Sequence, residues 1–216
     1  MKSNLFLRVI SVWLSILLFV PAAFAGVTPR QAQLWAEQNG RLLIDTFKER
    51  DIARRYRELD RLFLEYVDLP YIGKFVVGRY WRDMSTQQQA EYQALFRRYA
   101  LALYKTFPLD FTDSLSYEVG QAYEEDGYTV VAATVHVELS PNNPQDFLLQ
   151  FRLRSVDGGI KLVDIKLAES SLILSYRSKF YKMIAADDGE MSWFLEDLQA
   201  MTEAAERNNQ ALLPPE

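Results

Sequence analysis

The chain has 216 residues, of which 49% are apolar, 13% aromatic and 25% charged; that is one domain with a substantial core, and disorder, collagen and coiled coil are excluded as the main state. With 24 Lys+Arg against 29 Asp+Glu the net charge is -5, which disfavours nucleic acid and anionic membrane surfaces as partners. There is no Cys and one His, His136, so disulfides, zinc–thiolate sites and cysteine nucleophiles are excluded, and multi-His metal sites and a Ser-His-Asp triad are poor readings.

Lys2 and Arg8 precede an apolar run from Val9 to Val20, followed by Pro21 and then Ala23-Phe24-Ala25. A basic segment, a short apolar core and an A-x-A ending read as a cleaved secretory signal peptide over 1–25. The run is shorter than the roughly 20 residues that span a bilayer. The expected product begins near Gly26, is more acidic still, and resides in the periplasm as one domain over 26–206, with 207–216 as a polar tail.

Thr28-Pro29 starts a helix that runs to about Lys48. Asp51 caps a second helix, in which Ile52, Tyr56, Leu59, Phe63 and Tyr66 form an apolar stripe. Asp68 and Pro70 open a short third helix that Gly78 ends. Ser85 with Gln88 is a capping-box pattern. The helix it opens buries Tyr92, Leu95, Phe96, Tyr99, Leu103 and Phe107, and Pro108 stops it.

The period then changes from 3.6 to 2. Leu115 to Tyr123, Thr129 to Leu139, Phe147 to Leu153 and Ile160 to Leu167 read as four strands. Asp126-Gly127 and Asp157-Gly158-Gly159 are hairpin turns, and Pro141-Asn142-Asn143-Pro144 is a loop. Helical period returns after Ser171 with Ile173, Tyr176, Phe180 and Ile184, and again after Asp188 with Met191, Phe194, Leu198 and Met201. The expected fold is α+β: a four-stranded curved antiparallel sheet packed by about five to seven helices around a hydrophobic cavity.

The catalytic inventory is thin. No G-x-S-x-G, P-loop, G-x-G-x-x-G or H-E-x-x-H motif occurs. His136 shares the outer strand face with Thr134 and Glu138 and reads as a surface residue. Glu124-Glu125-Asp126 reads as a solvated turn, and the Arg50, Arg54, Arg55, Arg57 and Arg61 run as a solvated helix face. What stands out is apolar supply. A sheet face and several Phe-, Tyr- and Leu-rich helix stripes fit either a packed core or one left partly open for an apolar ligand, and periodicity does not separate the two.

Two segments carry a resemblance. One is Phe75-Val76-Val77-Gly78-Arg79-Tyr80-Trp81-Arg82 with Ser85, Gln88 and Tyr92 after it; the other is Asp164-Ile165-Lys166-Leu167, Ser171-Leu172 and Ser175-Tyr176-Arg177-Ser178-Lys179-Phe180. At this spacing they resemble the MlaC (toluene-tolerance) family of periplasmic phospholipid-binding proteins, from about residue 28 to 205. Ala168-Glu169 stands where the family usually has Glu-Gly, and Ser175 where it usually has Asn. The resemblance implies a non-enzymatic carrier without cofactor, with bound phospholipid as its cargo. It also implies that this monomeric shuttle moves glycerophospholipid between an outer-membrane lipoprotein–porin complex and an inner-membrane ABC transporter complex of the Mla type, maintaining outer-membrane lipid asymmetry. Two acyl chains hold about 30 CH₂ groups at about 0.8 kcal/mol each, so a carrier has to hide on the order of 24 kcal/mol of apolar exposure.

On that reading Val119, Val131, Ala133, Val135, Phe147, Leu149 and Phe151 line the cavity floor from the strands. Val76, Tyr80, Phe96, Leu103, Leu172 and Tyr176 are the helix-side candidates. Arg79, Trp81, Asp164 and Arg177 are the motif's polar and aromatic markers. Arg177 could lie near the headgroup, but an Asp164–Arg177 ion pair locking the sheet to the next helix is the favoured role, since a headgroup open to water needs no dedicated clamp. The alternatives are a binder of another apolar ligand such as a fatty acid or hopanoid, a small α+β enzyme using Asp164 and a Tyr, and an adaptor with a filled core.

Overall fold

A computed structural model describes residues 26–105, 114–138 and 143–213. The leader, the stop at Pro108 and the start of the Pro141-Asn142 loop lie outside the described residues. Thr28 opens helix α1 (Pro29–Phe47) with a complete capping box: its backbone N–H donates to Gln31 Oε1 at 2.9 Å and its hydroxyl accepts from Gln31 N at 3.3 Å. Asp51 caps α2 (Ile52–Tyr66) and Asp68 caps α3 (Leu69–Val77) through single side-chain oxygens. A 3₁₀ turn, Gly78–Arg82, leads to α4 (Thr86–Lys105), where Ser85 and Gln88 form a second reciprocal pair.

Strands β1 (Ser116–Glu125), β2 (Tyr128–Glu138), β3 (Pro144–Val156), β4 (Gly159–Leu167) and β5 (Ser170–Ser171) follow, then α5 (Leu172–Ala186) and α6 (Met191–Ala211). The sheet is antiparallel throughout, in the order β1-β2-β3-β4-β5. Asp126-Gly127 and Asp157-Gly158 both have positive φ at both residues, the combination that type I′ hairpins require.

Three details differ from the sequence reading. The sheet has five strands rather than four, because the chain turns back at Ala168-Glu169 and Ser170–Ser171 pairs with β4 before α5 begins; two residues are too few to show alternation. A bulge between Val119 and Ala122 reverses the side-chain parity of β1, so Ala122 packs against the core while Tyr123 is exposed. The closing helix extends past 206 to Ala211, where the buried Asn209 donates to Ala102 O at 2.9 Å and ties that turn to α4.

The β4–β5 turn holds Ala168 at φ 52, a conformation that costs a side chain bearing Cβ about 1 kcal/mol or more. Ala168→Gly is therefore expected to stabilise the protein by about 0.5–1 kcal/mol, after allowance for glycine's freer unfolded chain. Urea denaturation checks it: a higher midpoint at unchanged slope is expected.

The core divides into two bodies. Helices α3, α4, α5 and α6 enclose one, built on Tyr92, Phe96, Phe180 and Phe194. The rings of Tyr92, Phe180 and Phe194 meet at centroid distances of 5.4–6.5 Å, where edge and tilted contacts are favourable. The other body lies on the sheet, where Val27, Ala32 and Ala36 of the α1 segment pack on Val131 and Leu153.

Candidate functional site

Strand register assembles one apolar sheet face. Val119 stands opposite Ala133, Val131 opposite Phe151, Ala133 opposite Leu149 and Val135 opposite Phe147. Opposed residues of antiparallel strands project to the same side, so all seven strand candidates share a face. Leu153 and Leu167, opposite Thr129 and Leu149, extend the same rows.

Two helices flank this face. Helix α1 runs along β1: Gln33 Nε2 donates to Gly120 O at 2.9 Å, and Tyr117 Oη donates to Ala36 O at 3.3 Å. Gly40 permits the approach, since a Cβ there would stand 2.6 Å from Tyr117 Cζ. Helix α2 ends on the opposite side of the sheet, where Val67 bridges Leu162 of β4 and Asp68 N donates to Leu162 O at 2.9 Å. Trp35 of α1 and Tyr66 of α2 meet edge to face at 5.9 Å.

Burial along the face is graded. Val131 and Leu153 are fully buried and Ala133 nearly so, while Val135, Leu149 and Phe151 are half-buried. Phe147 and Leu167 are 37% and 49% exposed. One end is sealed under α1, and the other presents large apolar side chains to solvent. Such a surface can receive an apolar ligand without unfolding anything.

The helix-side candidates go elsewhere. Val76 and Phe96 are buried in the helical core, and Tyr80, Leu103 and Tyr176 pack against it. Leu172 is 46% exposed at the start of α5. The structure therefore unites the strand candidates and distributes the helix candidates through a separate body. Trp35, Tyr66, Leu153 and Leu167 join the face although the sequence reading left them out of the site. For Leu153 and Leu167 the period-2 alternation was the available signal; Tyr66 stood in the apolar stripe of its helix, which marks burial but not the partner, and Trp35 carried no signal.

The expected Asp164–Arg177 ion pair does not form. Asp164 is buried, and its two carboxylate oxygens accept from Ser171 Oγ at 2.7 Å and Ile173 N at 3.2 Å. It is consumed in satisfying the first turn of α5, whose N–H groups have no partners within the helix. Arg177 points instead to the end of α3, donating to Phe75 O at 3.2 Å and Tyr181 Oη at 3.0 Å, with its guanidinium 4.9 Å from the Phe75 ring centre. A carbonyl left open at a helix C-terminus and an aromatic face are both natural partners for guanidinium. Arg79 stacks over Tyr80 and Tyr181 at 4.8 and 5.6 Å. Trp81 meets Tyr92 edge to face at 6.3 Å and carries Lys74 over its ring. Arg79 and Arg177 hold α3, the 3₁₀ turn and α5 together, Trp81 ties the turn to α4, and Asp164 ties β4 to the start of α5.

Arg177→Ala is accordingly expected to cost about 2 kcal/mol of stability through two lost hydrogen bonds and the stacked contacts, with bound lipid unchanged. Melting and lipid content measured on one preparation check this, and lipid loss at unchanged melting would refute it.

On the opposite sheet face, His136 pairs with Asp146 at 2.7 Å, and that carboxylate raises the imidazole's pKa above its ordinary value. At the other end of β2 the Tyr71 and Tyr128 hydroxyls bond to each other, and burial, with that bond, pushes Tyr71 up to about 12. Both groups sit away from the apolar face. Among the described residues no helix is long and apolar enough to cross a membrane, and no group of three or more His, Asp or Glu could hold a metal ion.

No curated protein gives a significant match. Among solved structures, a phospholipid-binding protein from Ralstonia solanacearum, determined in complex with a phospholipid, superposes with a TM-score of 0.64. It shares 19% sequence identity, over 81% of this chain and 98% of that one, and so supports the fold. The family model described as MlaC protein matches residues 40–200, most of the chain. The chain belongs to the MlaC family.

Proposed function

We propose that this protein is a non-catalytic periplasmic carrier of glycerophospholipid. It takes the acyl chains onto the apolar sheet face between α1 and α2 and leaves the headgroup in water. The observation that carries this reading is the graded row from sealed Val131 to open Phe147 and Leu167. Membership of the MlaC family and the phospholipid held by the similar Ralstonia protein support it. A surface nearly as apolar as a bilayer makes the exchange close to neutral, so cargo can be received and released without a bound nucleotide. The donor and acceptor are an outer-membrane lipoprotein–porin complex and an inner-membrane ABC transporter complex of the Mla type, and the carrier travels between them as a monomer, preserving outer-membrane lipid asymmetry.

Delipidated protein incubated with phospholipid vesicles tests this. Uptake of phospholipid into the soluble fraction, resisted by excess palmitate, is the expected result. Uptake of palmitate alone would favour the fatty-acid reading, and uptake of neither would reject the carrier.

A further inference from the structure

The apolar rows of the sheet face have a finite length. Along β3 the inward positions are Phe147, Leu149, Phe151 and Leu153, and the next is the exposed Ser155. Along β2 they run Val135, Ala133 and Val131, and the next is Thr129, whose hydroxyl donates to Val27 O. Polar side chains thus end both rows at the closed end. The open stretch from Phe147 to Phe151 is about 14 Å long, at about 3.4 Å per residue. Acyl chains fill each leaflet of a bilayer to a depth of about 15 Å, half of the hydrocarbon core. The open stretch therefore matches the length of one acyl chain.

A pair of rings stands where that stretch stops. Helix α1 runs along β1 and α2 ends beside β4, at the other side of the sheet. Trp35 of α1 and Tyr66 of α2 meet edge to face at 5.9 Å, so their contact crosses the face above β2 and β3. Trp35 packs, with Phe151 and Leu162, against the buried Val131 and Leu153. Tyr66 precedes Val67, which bridges Leu162, the residue opposite Leu153. The ring contact thus lies at the level of Leu153, one inward position beyond Phe151. Aromatic side chains are bulky and turn about only two torsions, so a packed pair yields less readily than flexible aliphatic groups.

We propose that the Trp35–Tyr66 pair is a stop that sets the longest acyl chain this protein accepts. The methyl end of the chain abuts the rings, and carbons beyond the limit stay in water. This assignment rests on the carrier reading and adds a chain-length selectivity to it. A CH₂ that fits is covered about as well on the protein as in a bilayer, so lipids at or below the limit transfer alike. Each CH₂ that does not fit loses about fourfold in partition, the equivalent of about 0.8 kcal/mol, and two lose about fifteenfold.

The test is competition between chain lengths. Delipidated protein is incubated with vesicles of mixed phosphatidylcholines whose two monounsaturated chains have fourteen, sixteen, eighteen, twenty or twenty-two carbons, and the bound species are quantified by mass spectrometry. Binding is expected to be level up to one length and to fall at least tenfold at the next. Trp35→Ala should move that fall to chains at least two carbons longer. Tyr66→Leu removes the other ring while keeping the position apolar, and should move the fall the same way. Trp193→Ala, which removes an exposed ring on α6, should leave it in place. Melting shows which variants are folded, and either ring variant decides the question. Binding that never falls with length, or a fall at the parent's length in a folded ring variant, would overturn the stop. Uptake of no phosphatidylcholine of any length would reject the carrier reading itself, so the two failures are distinguishable.

Discussion

Gly78→Ala is expected to destabilise the protein by about 3 kcal/mol. Gly78 ends α3 at φ 53 and ψ -116, a backbone region closed to residues with a Cβ. The site is crowded as well as strained. A Cβ there would collide with the Tyr181 hydroxyl and stand 2.7 Å from Arg177 Nη2. Those two groups form the clasp between α3 and α5, so relief of the clash breaks the Arg177 hydrogen bonds. A drop in melting temperature of about 6–12 °C follows for a chain of this size. Thermal denaturation checks it; a drop below about 2 °C would mean that the turn can rearrange without cost.

The second large effect falls on cargo. Phe147→Asp combined with Val135→Asp is expected to reduce copurifying phospholipid at least tenfold in a protein that still folds, at a stability cost of about 2–3 kcal/mol from lost burial, aspartate's poor fit in a strand and repulsion between carboxylates placed opposite each other. Phe147 is already 37% exposed and Val135 half-buried, so the free protein can hydrate both carboxylates. An acyl chain laid over them would strip that water, and burying even one unpaired charge costs more than the 1.4 kcal/mol that a tenfold loss represents. Trp193→Asp, an exposed aromatic on α6, is the matched control and should leave the lipid in place. Quantitative lipid extraction provides the measurement, and equal lipid in the double variant and the control would place the cargo elsewhere.

How much of this was legible in the sequence depends on the element. The strand candidates lie on one face because an antiparallel ladder has a fixed period of 2 and Asp-Gly turns set its register; Val131, Ala133, Val135, Phe147, Leu149 and Phe151 needed no tertiary information. Caps at Thr28, Asp51, Asp68 and Ser85 were equally local. The helix candidates were not legible in that way. A stripe such as Tyr92, Phe96 and Tyr99 states that one face is buried but not against what, and here it packs among helices rather than over the sheet. Asp164 and Arg177 illustrate a different limit. Opposite charges in two linked motifs invite pairing, yet each had a nearer obligation, Asp164 to the free N–H groups of α5 and Arg177 to the open carbonyl at Phe75. The bulge at Gly120-Gln121 left no hydrophobic mark, and its effect on Ala122 and Tyr123 emerged only from pairing.

Native mass spectrometry of the protein purified without detergent from bacteria that express the full chain, followed by denaturation and identification of what is released, tests the central claim most directly. The account predicts a mass excess of one or two phospholipids, lost on denaturation and recovered in the organic phase. A protein at its bare polypeptide mass, which also takes up no lipid from vesicles, would contradict it.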